Sequence, residues 1–243
     1  MTDTKEMTEI RESNQGSASL HLHQGQPVLA SGQPLSRASA VVIMLHGRGA
    51  TARGILALAD ELDLPKVAYL APQAQGMTWY PYSFLAPISK NEPALSSALR
   101  AVSDVLEHVR DAGLPAERVV LLGFSQGACL CLEHAARHPV RYGGVIAFSG
   151  GLIGTGDKPG VRPPADKHFD YEGSLQGTPV FTGCSDVDPH IPLTRVETSV
   201  AVLRSLGGEV TERIYDGMDH TINPDELNHA RSMISLVAEE PVS

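Results

Sequence analysis

Gly123-Phe124-Ser125-Gln126-Gly127 has the form Gly-x-Ser-x-Gly, a spacing that suits a nucleophilic serine. Five residues match such a pattern by chance, so the flanks decide. Val119-Val120-Leu121-Leu122 before it is apolar and β-prone, and the stretch after it is rich in Ala, Leu and Cys, as a buried helix would be. A serine on a tight strand-to-helix turn has a strained backbone. The positions flanking it, Gly123 and Gly127, must then be small, and the turn lifts the hydroxyl above the carboxyl edge of a sheet. The helix N-terminus there offers free N–H groups and a positive dipole end to a developing oxyanion. An ordinary serine N-cap is the plain alternative, and the strand-then-helix context disfavours it.

A serine hydroxyl needs a base, and the base needs a group that orients it. On this kind of turn the acid and then the histidine follow the serine in the chain, each on a loop after a strand. That order filters the ten histidines. His21, His23, His46 and His108 come too early, and His134 and His138 fall in the helix after the serine. His168 precedes any suitable acid, His190 adjoins the best acid, and His229 lies inside the last helix. His220 remains, in Asp216-Gly217-Met218-Asp219-His220. For the acid, Gly183-Cys184-Ser185-Asp186-Val187-Asp188-Pro189 offers two residues. Pro189 biases Asp188 toward an extended conformation, which favours it, with Asp186 as the alternative. A turn-forming aspartate is the plain reading of either.

Acyl transfer also needs two N–H donors for the oxyanion. The backbone of Gln126 is one expected donor. The backbone of Arg48, in His46-Gly47-Arg48-Gly49, is the other, because its glycine neighbours let the chain approach a substrate closely. The Arg48 side chain would either meet an anionic substrate group or lie in solvent. The only Trp falls in the chain's densest aromatic cluster, so Trp79, Tyr80, Tyr82 and Phe84 are expected to wall a substrate pocket. His134 and His138 are spaced i, i+4, as metal ligands can be. No third ligand is evident, so a solvated helix face is expected and no metal.

The elements that must position these residues alternate along the chain. Residues 17–23 and 28–31 read as a hairpin. Buried strands are expected at 40–45, 67–70, 118–123, 144–149 and 179–183, and a further strand at 209–215. Helical spacing recurs at 55–62, 91–113, 125–138 and 196–206. Asn223-Pro224-Asp225-Glu226 reads as a capping box opening the last helix. Residues 154–177 break the rhythm with Gly, Pro and charges, and read as a surface loop or partial lid. The expectation is one α/β domain over 17–240, with a mostly parallel sheet flanked by helices on both faces. Residues 1–16 are polar and expected to be disordered.

Composition sets outer bounds. In 243 residues, 42% are hydrophobic and 19% charged, enough for a packed core. A net charge of −9 disfavours nucleic acid, which needs a basic face. Cys129, Cys131 and Cys184 make no disulfide framework and read as small buried residues. No apolar stretch approaches the roughly 18–20 residues that span a bilayer. No secretory leader pattern is evident, so a soluble, cytoplasmic protein is expected. The sequence leaves room for a homodimer.

Four blocks together resemble the phospholipase/carboxylesterase family, which includes acyl-protein thioesterases: Leu45-His46-Gly47-Arg48-Gly49, Gly123-Phe124-Ser125-Gln126-Gly127-Ala128, Asp188-Pro189-His190-Ile191-Pro192 and Gly217-Met218-Asp219-His220. The likeness runs from about residue 40 to 237. It implies an α/β-hydrolase that cleaves carboxylic esters or thioesters without a cofactor, acting on a small-molecule ester. It also implies a triad of Ser125, Asp188 and His220, selecting Asp188 over Asp186. Alternatives within this reading are an acyl thioesterase or a lysophospholipase. Outside it stands a catalytically silent binding protein of the same fold. Two features depart from the family pattern. Asp219 stands where Gly is common, a carboxylate that could raise the pKa of His220 or narrow the pocket, and residues 154–177 are longer and more polar than in small thioesterases.

Overall fold

The apolar run Ala40–Leu45 is buried at every position, because its strand is covered on both faces. The computed structural model describes residues 21–159 and 166–239. Its strands are β1 (Val28–Gly32), β2 (Ala40–Leu45), β3 (Val67–Pro72), β4 (Val119–Phe124), β5 (Gly144–Phe148), β6 (Gly156–Asp157), β7 (Lys167–His168), β8 (Pro179–Ser185) and β9 (Glu209–Tyr215). Its helices are α1 (Ala52–Leu56), α2 (Leu58–Leu62), α3 (Ile88–Asn91), α4 (Ala94–Asp111), α5 (Gln126–Arg137), α6 (Leu193–Ser205) and α7 (Pro224–Glu239).

Seven strands form one sheet in the order β1-β3-β2-β4-β5-β8-β9. Only β1 runs antiparallel; every other neighbouring pair is parallel. Alternate residues of each strand feed two cores. Val41, Ile43, Leu45, Val119 and Leu121 pack with α4, α5 and α6 on one face. Val42, Met44, Val120 and Leu122 pack with α1, α2 and α7 on the other. This is the α/β-hydrolase architecture, a mostly parallel sheet between two helical layers.

Several local expectations differ from what forms. Residues 28–31 do form a strand, but its partner is β3, with Leu29 opposite Ala71. His21–Gln24 make turns instead of a hairpin arm, and 17–20 lie outside the described residues. His23 draws this segment inward: it is buried, and its ring bonds the Trp79 carbonyl. The long helix begins at Ala94, not 91, because Pro93 cannot continue α3 and instead precedes α4. The capping box on α7 forms: the Glu226 N–H donates to Asn223 Oδ1 at 3.0 Å, and the Asn223 N–H to Glu226 Oε2 at 2.9 Å.

Within 154–177 lies a small antiparallel ladder, β6 with β7. Its buried Lys167 ammonium donates to the Asp157 carboxylate and the Ala86 carbonyl. Tyr171 and the N–H groups of Ile153 and Gly154 all donate to Glu133 Oε2 on α5, at 2.8 to 3.0 Å. The stretch is therefore tied to α5 more firmly than its composition suggests. Residues 160–165 and 1–16 lie outside the described residues. Among the described residues, no helix is long and apolar enough to cross a membrane.

Candidate active site

In a parallel sheet the loops after each strand emerge at one edge. Leu45 pairs with Gly123, Phe124 with Phe148 and Ser185 with Tyr215, so the ends of β2, β4, β8 and β9 share that edge. His46–Gly49, Ser125, Asp186–Asp188 and Asp216–His220 follow these ends directly.

Ser125 sits between β4 and α5 with φ 55° and ψ −117°. A non-glycine residue held there stores on the order of 1–3 kcal/mol. The strain persists because the surroundings leave no other path. The Ser125 N–H donates to the Phe148 carbonyl at 2.9 Å. A Cβ on Gly123 would stand 2.4 Å from the Gly127 backbone, and one on Gly127 would stand 2.0 Å from the Leu45 carbonyl oxygen. The smallness that the sequence pattern demands has this cause: α5 starts against the backbone of both β4 and β2.

Ser125 Oγ lies 2.8 Å from His220 Nε2, and His220 Nδ1 lies 2.6 Å from Asp188 Oδ2. Asp188 Oδ1 accepts the N–H groups of His190 at 2.8 Å and Ile191 at 3.0 Å. Burial pushes the Asp188 carboxyl up. The hydrogen bonds from His220, His190 and Ile191 outweigh it and hold the group below the usual carboxylate range. The Asp188 side chain is wholly buried and the His220 side chain 17% exposed. The imidazole is wedged between Phe124 and His190, each ring centroid 4.9 Å away. With Asp188 fixing a proton on Nδ1, Nε2 is left to accept the serine proton. Such a relay can generate an alkoxide-like nucleophile at neutral pH.

Asp186, the alternative acid, points elsewhere. Its Oδ1 accepts the Gly217 N–H at 2.8 Å, and its own N–H donates to Tyr215 O at 3.1 Å. It ties the loop bearing Asp188 to the loop bearing His220. Asp219 is exposed and does not line the cavity, so it does not narrow it.

The N–H groups of Arg48 and Gln126 have no protein acceptor among the described residues. Both residues line a cavity of about 370 Å³ that also contains Ser125 and His220. Of the four aromatics expected to wall it, Tyr80 and Phe84 do so; Trp79 and Tyr82 do not. Trp79 is fully buried, its ring between those of His23 and His46 and its indole N–H bonded to the His46 carbonyl at 2.9 Å. The largest apolar side chain of the loop serves the core. Tyr82 turns out to solvent, 54% exposed. Sequence reasoning missed Phe124, Cys129, His190 and Ile191 as wall residues. Phe124 and Cys129 were legible as neighbours of Ser125; the other two follow Asp188. No described residue of 154–177 lines the cavity.

His46, His23 and Thr78 also went unnoticed. His46 Nε2 accepts the Ala74 N–H at 3.1 Å and its Nδ1 meets Gly47 O at 2.8 Å, so the ring is neutral with its proton on Nδ1. Burial lowers its pKa and that of His23, keeping both neutral. His134 departs from the solvated face expected of it. It is buried, its Nε2 meets Ser103 Oγ at 3.1 Å, and burial pushes its pKa down to about 3. Among the described residues, no three His, Cys, Asp or Glu side chains cluster as a metal site. The three cysteines are free and buried, and burial raises the Cys129 thiol, at the cavity wall, to about 11.

The profile of the phospholipase/carboxylesterase family matches residues 29–238. A crystal structure of a phospholipase/carboxylesterase from Dyadobacter fermentans is 43% identical, with a TM-score of 0.79, over 87% of this chain and 97% of that one. Acyl-protein thioesterase 1 of Eremothecium gossypii is 28% identical over 236 residues, 88% of this chain and 94% of that protein. The carboxylesterase of Bacillus cereus shares the fold at a TM-score of 0.67 and 17% identity, over 88% of this chain and 95% of that one. The chain is a hydrolase of the α/β-hydrolase fold and belongs to the phospholipase/carboxylesterase family.

Proposed function

We propose that the protein is a serine hydrolase that cleaves carboxylic esters of small to medium acyl chain through an acyl-enzyme on Ser125. The observation that carries this reading is the unbroken relay Ser125–His220–Asp188 at the edge of a half-open cavity. Ser125 Oγ attacks the ester carbonyl as His220 Nε2 takes its proton. The oxyanion receives the N–H groups of Arg48 and Gln126. Collapse expels the alcohol, which His220 protonates, and leaves the acyl group on Ser125. Water, deprotonated by His220, then attacks the acyl carbonyl, and the acid leaves as Ser125 regains its proton. Asp188 keeps the imidazole in the tautomer each step needs. No cofactor enters this sequence.

The cavity of about 370 Å³, lined by Tyr80, Phe84, Phe124 and Ile191 beside Ser125, supports a short to medium acyl group. A second reading, thioester cleavage, is favoured by the likeness to acyl-protein thioesterase 1 of Eremothecium gossypii. The same groups serve it, and a thiolate leaves with less need of protonation.

The test combines p-nitrophenyl esters of rising chain length with an acyl-CoA and with Ser125→Ala. Turnover should peak at short to medium esters and vanish in Ser125→Ala, whose melting should match the parent. A fluorophosphonate probe should label the parent alone. Retained hydrolysis in Ser125→Ala rejects the nucleophile; higher kcat/KM on the thioester moves the assignment to the second reading. A protein that neither labels nor turns over is a binding protein of the fold.

A further inference from the structure

The two residues whose N–H groups are assigned to the oxyanion also use their side chains, and both grip the same short segment, 78–82. The Arg48 guanidinium donates through Nη1 to Thr78 Oγ1 at 3.2 Å and Pro81 O at 2.7 Å, and through Nη2 to Tyr82 O at 2.6 Å. It lies 6.0 Å over the Tyr80 ring. The next residue joins in: the Gly49 N–H donates to Met77 O at 2.7 Å. From the other side, Gln126 Oε1 accepts the Trp79 N–H at 2.9 Å, and Gln126 Nε2 donates to Tyr80 O at 2.8 Å. Thr78 Oγ1 stands between them, within 3.2 Å of both Arg48 Nη1 and Gln126 Oε1.

We propose that the Arg48 side chain is a positioning residue for acyl transfer: by gripping 78–82 it fixes the turn that carries its own N–H relative to the N–H of Gln126. The proposal rests on the serine-hydrolase reading above. Its physical basis is convergence. One donor rides on the turn after β2 and the other on the first turn of α5, and two donors serve one oxygen only if both point at it. The turn after β2 is buried at His46 and Gly47 but exposed at Arg48 and Gly49, so packing leaves the half that carries the Arg48 N–H unheld. Segment 78–82 does, as a spacer bonded to both donor residues. The planar guanidinium suits this task because Nη1 and Nη2 serve separate acceptors from a rigid fork, whereas a lysine ammonium presents all three of its donors from one freely rotating atom. Arg48 makes no ion pair among the described residues, so its hydrogen bonds go to neutral acceptors of this one segment.

The test uses Arg48→Met, Arg48→Lys and Thr78→Val, with Ser125→Ala alongside. Each is assayed on a neutral ester and on one bearing a carboxylate, and titrated with a trifluoromethyl ketone, whose hemiketal oxyanion occupies the same donors. Misaiming one donor should cost less than deleting it, so kcat of Arg48→Met should fall about 10–100-fold. KM should hold within about threefold, and both esters should be affected alike. Arg48→Lys should fall with Arg48→Met, and Thr78→Val should lose a smaller factor. Across the set the ketone Ki should rise in step with the loss of kcat/KM. A loss confined to the carboxylate ester overturns the proposal, as does a rise in KM at constant kcat, an Arg48→Lys variant as active as the parent, or a ketone Ki that does not move. Activity surviving in Ser125→Ala rejects instead the reading beneath it.

Discussion

Replacing Gly127 by alanine probes the contact that sets the geometry of the whole site. The added Cβ would stand 2.0 Å from the Leu45 carbonyl oxygen, 2.5 Å from its carbon and 2.8 Å from the His46 carbonyl oxygen. Ordinary contact begins at 3.4 Å, so α5 and the end of β2 must part by about 1.4 Å. All three neighbours are backbone atoms, so no side chain can swing aside. β2 leads into the turn that carries the Arg48 N–H, and α5 carries Ser125 and the Gln126 N–H. Overpacking of this kind costs about 1–3 kcal/mol, or roughly 2–12 °C in Tm for a domain of this size. Separating Ser125 and the Gln126 N–H from the Arg48 N–H by more than an ångström should cost about 100-fold in kcat. Turnover of p-nitrophenyl butyrate and a thermal melt read the two effects. Gly54→Ala is the control, since its Cβ would meet only Thr51 Oγ1, at 3.5 Å; it should stay within about twofold of the parent. A Gly127→Ala protein with kcat within about threefold of the parent and an unchanged Tm would refute the argument from close approach.

Two further outcomes follow from the geometry. In Asp188→Asn, the oxygen that accepts from His190 and Ile191 stays in place, which turns the new NH₂ toward His220 Nδ1. The imidazole is then driven to the wrong tautomer and kcat should fall about 10³–10⁴-fold, while Asp186→Asn, which keeps an acceptor for Gly217, should lose less than about tenfold; equal losses would reject the assignment of Asp188. Glu226 is fully buried, its Oε1 has no partner among the described residues, and burial raises its carboxyl from the ordinary value near 4.5 to about 7. Between those values the unfolded chain gives up the proton that the folded chain keeps, so stability is full below pH 4.5 and declines by on the order of 2–3 kcal/mol as pH rises to 7. Glu226→Gln keeps the capping position without titrating, and its Tm advantage over the parent should grow from pH 5 to pH 7.5 in buffered melts; a flat difference would mean that Glu226 does not titrate in this range.

Ser125, His220 and Asp188 were legible as candidates because each depends on chain order and local chemistry. Gly123 and Gly127 announce a close turn around Ser125, β4 and α5 announce its direction, and the order serine, acid, histidine removes nearly every competing residue. The sheet was legible for a related reason: strands covered on both faces must be apolar throughout, as Ala40–Leu45 and Val67–Pro72 are. The capping box of Asn223 and Glu226 is likewise a contact between residues three apart. What pairs with what over long distances was not legible. β1 reads as half a hairpin until β3 offers it a partner some 40 residues away.

The cavity wall shows the same limit. Trp79 and Tyr82 belong to one aromatic run, and composition gives them one role. Their directions were set by His23 and His46, which close around the indole, and by the Arg48 guanidinium, which holds the backbone carbonyl of Tyr82 while the phenol ring turns outward. By itself the sequence pointed to the proposed chemistry, because Ser125, Asp188 and His220 are marked out by turn geometry and chain order. Tertiary structure alone decided the positions of Arg48 and Gln126 around segment 78–82. Those depend on hydrogen bonds between Arg48, Thr78 and Gln126, residues 30 and 48 positions apart that meet only once the sheet has formed.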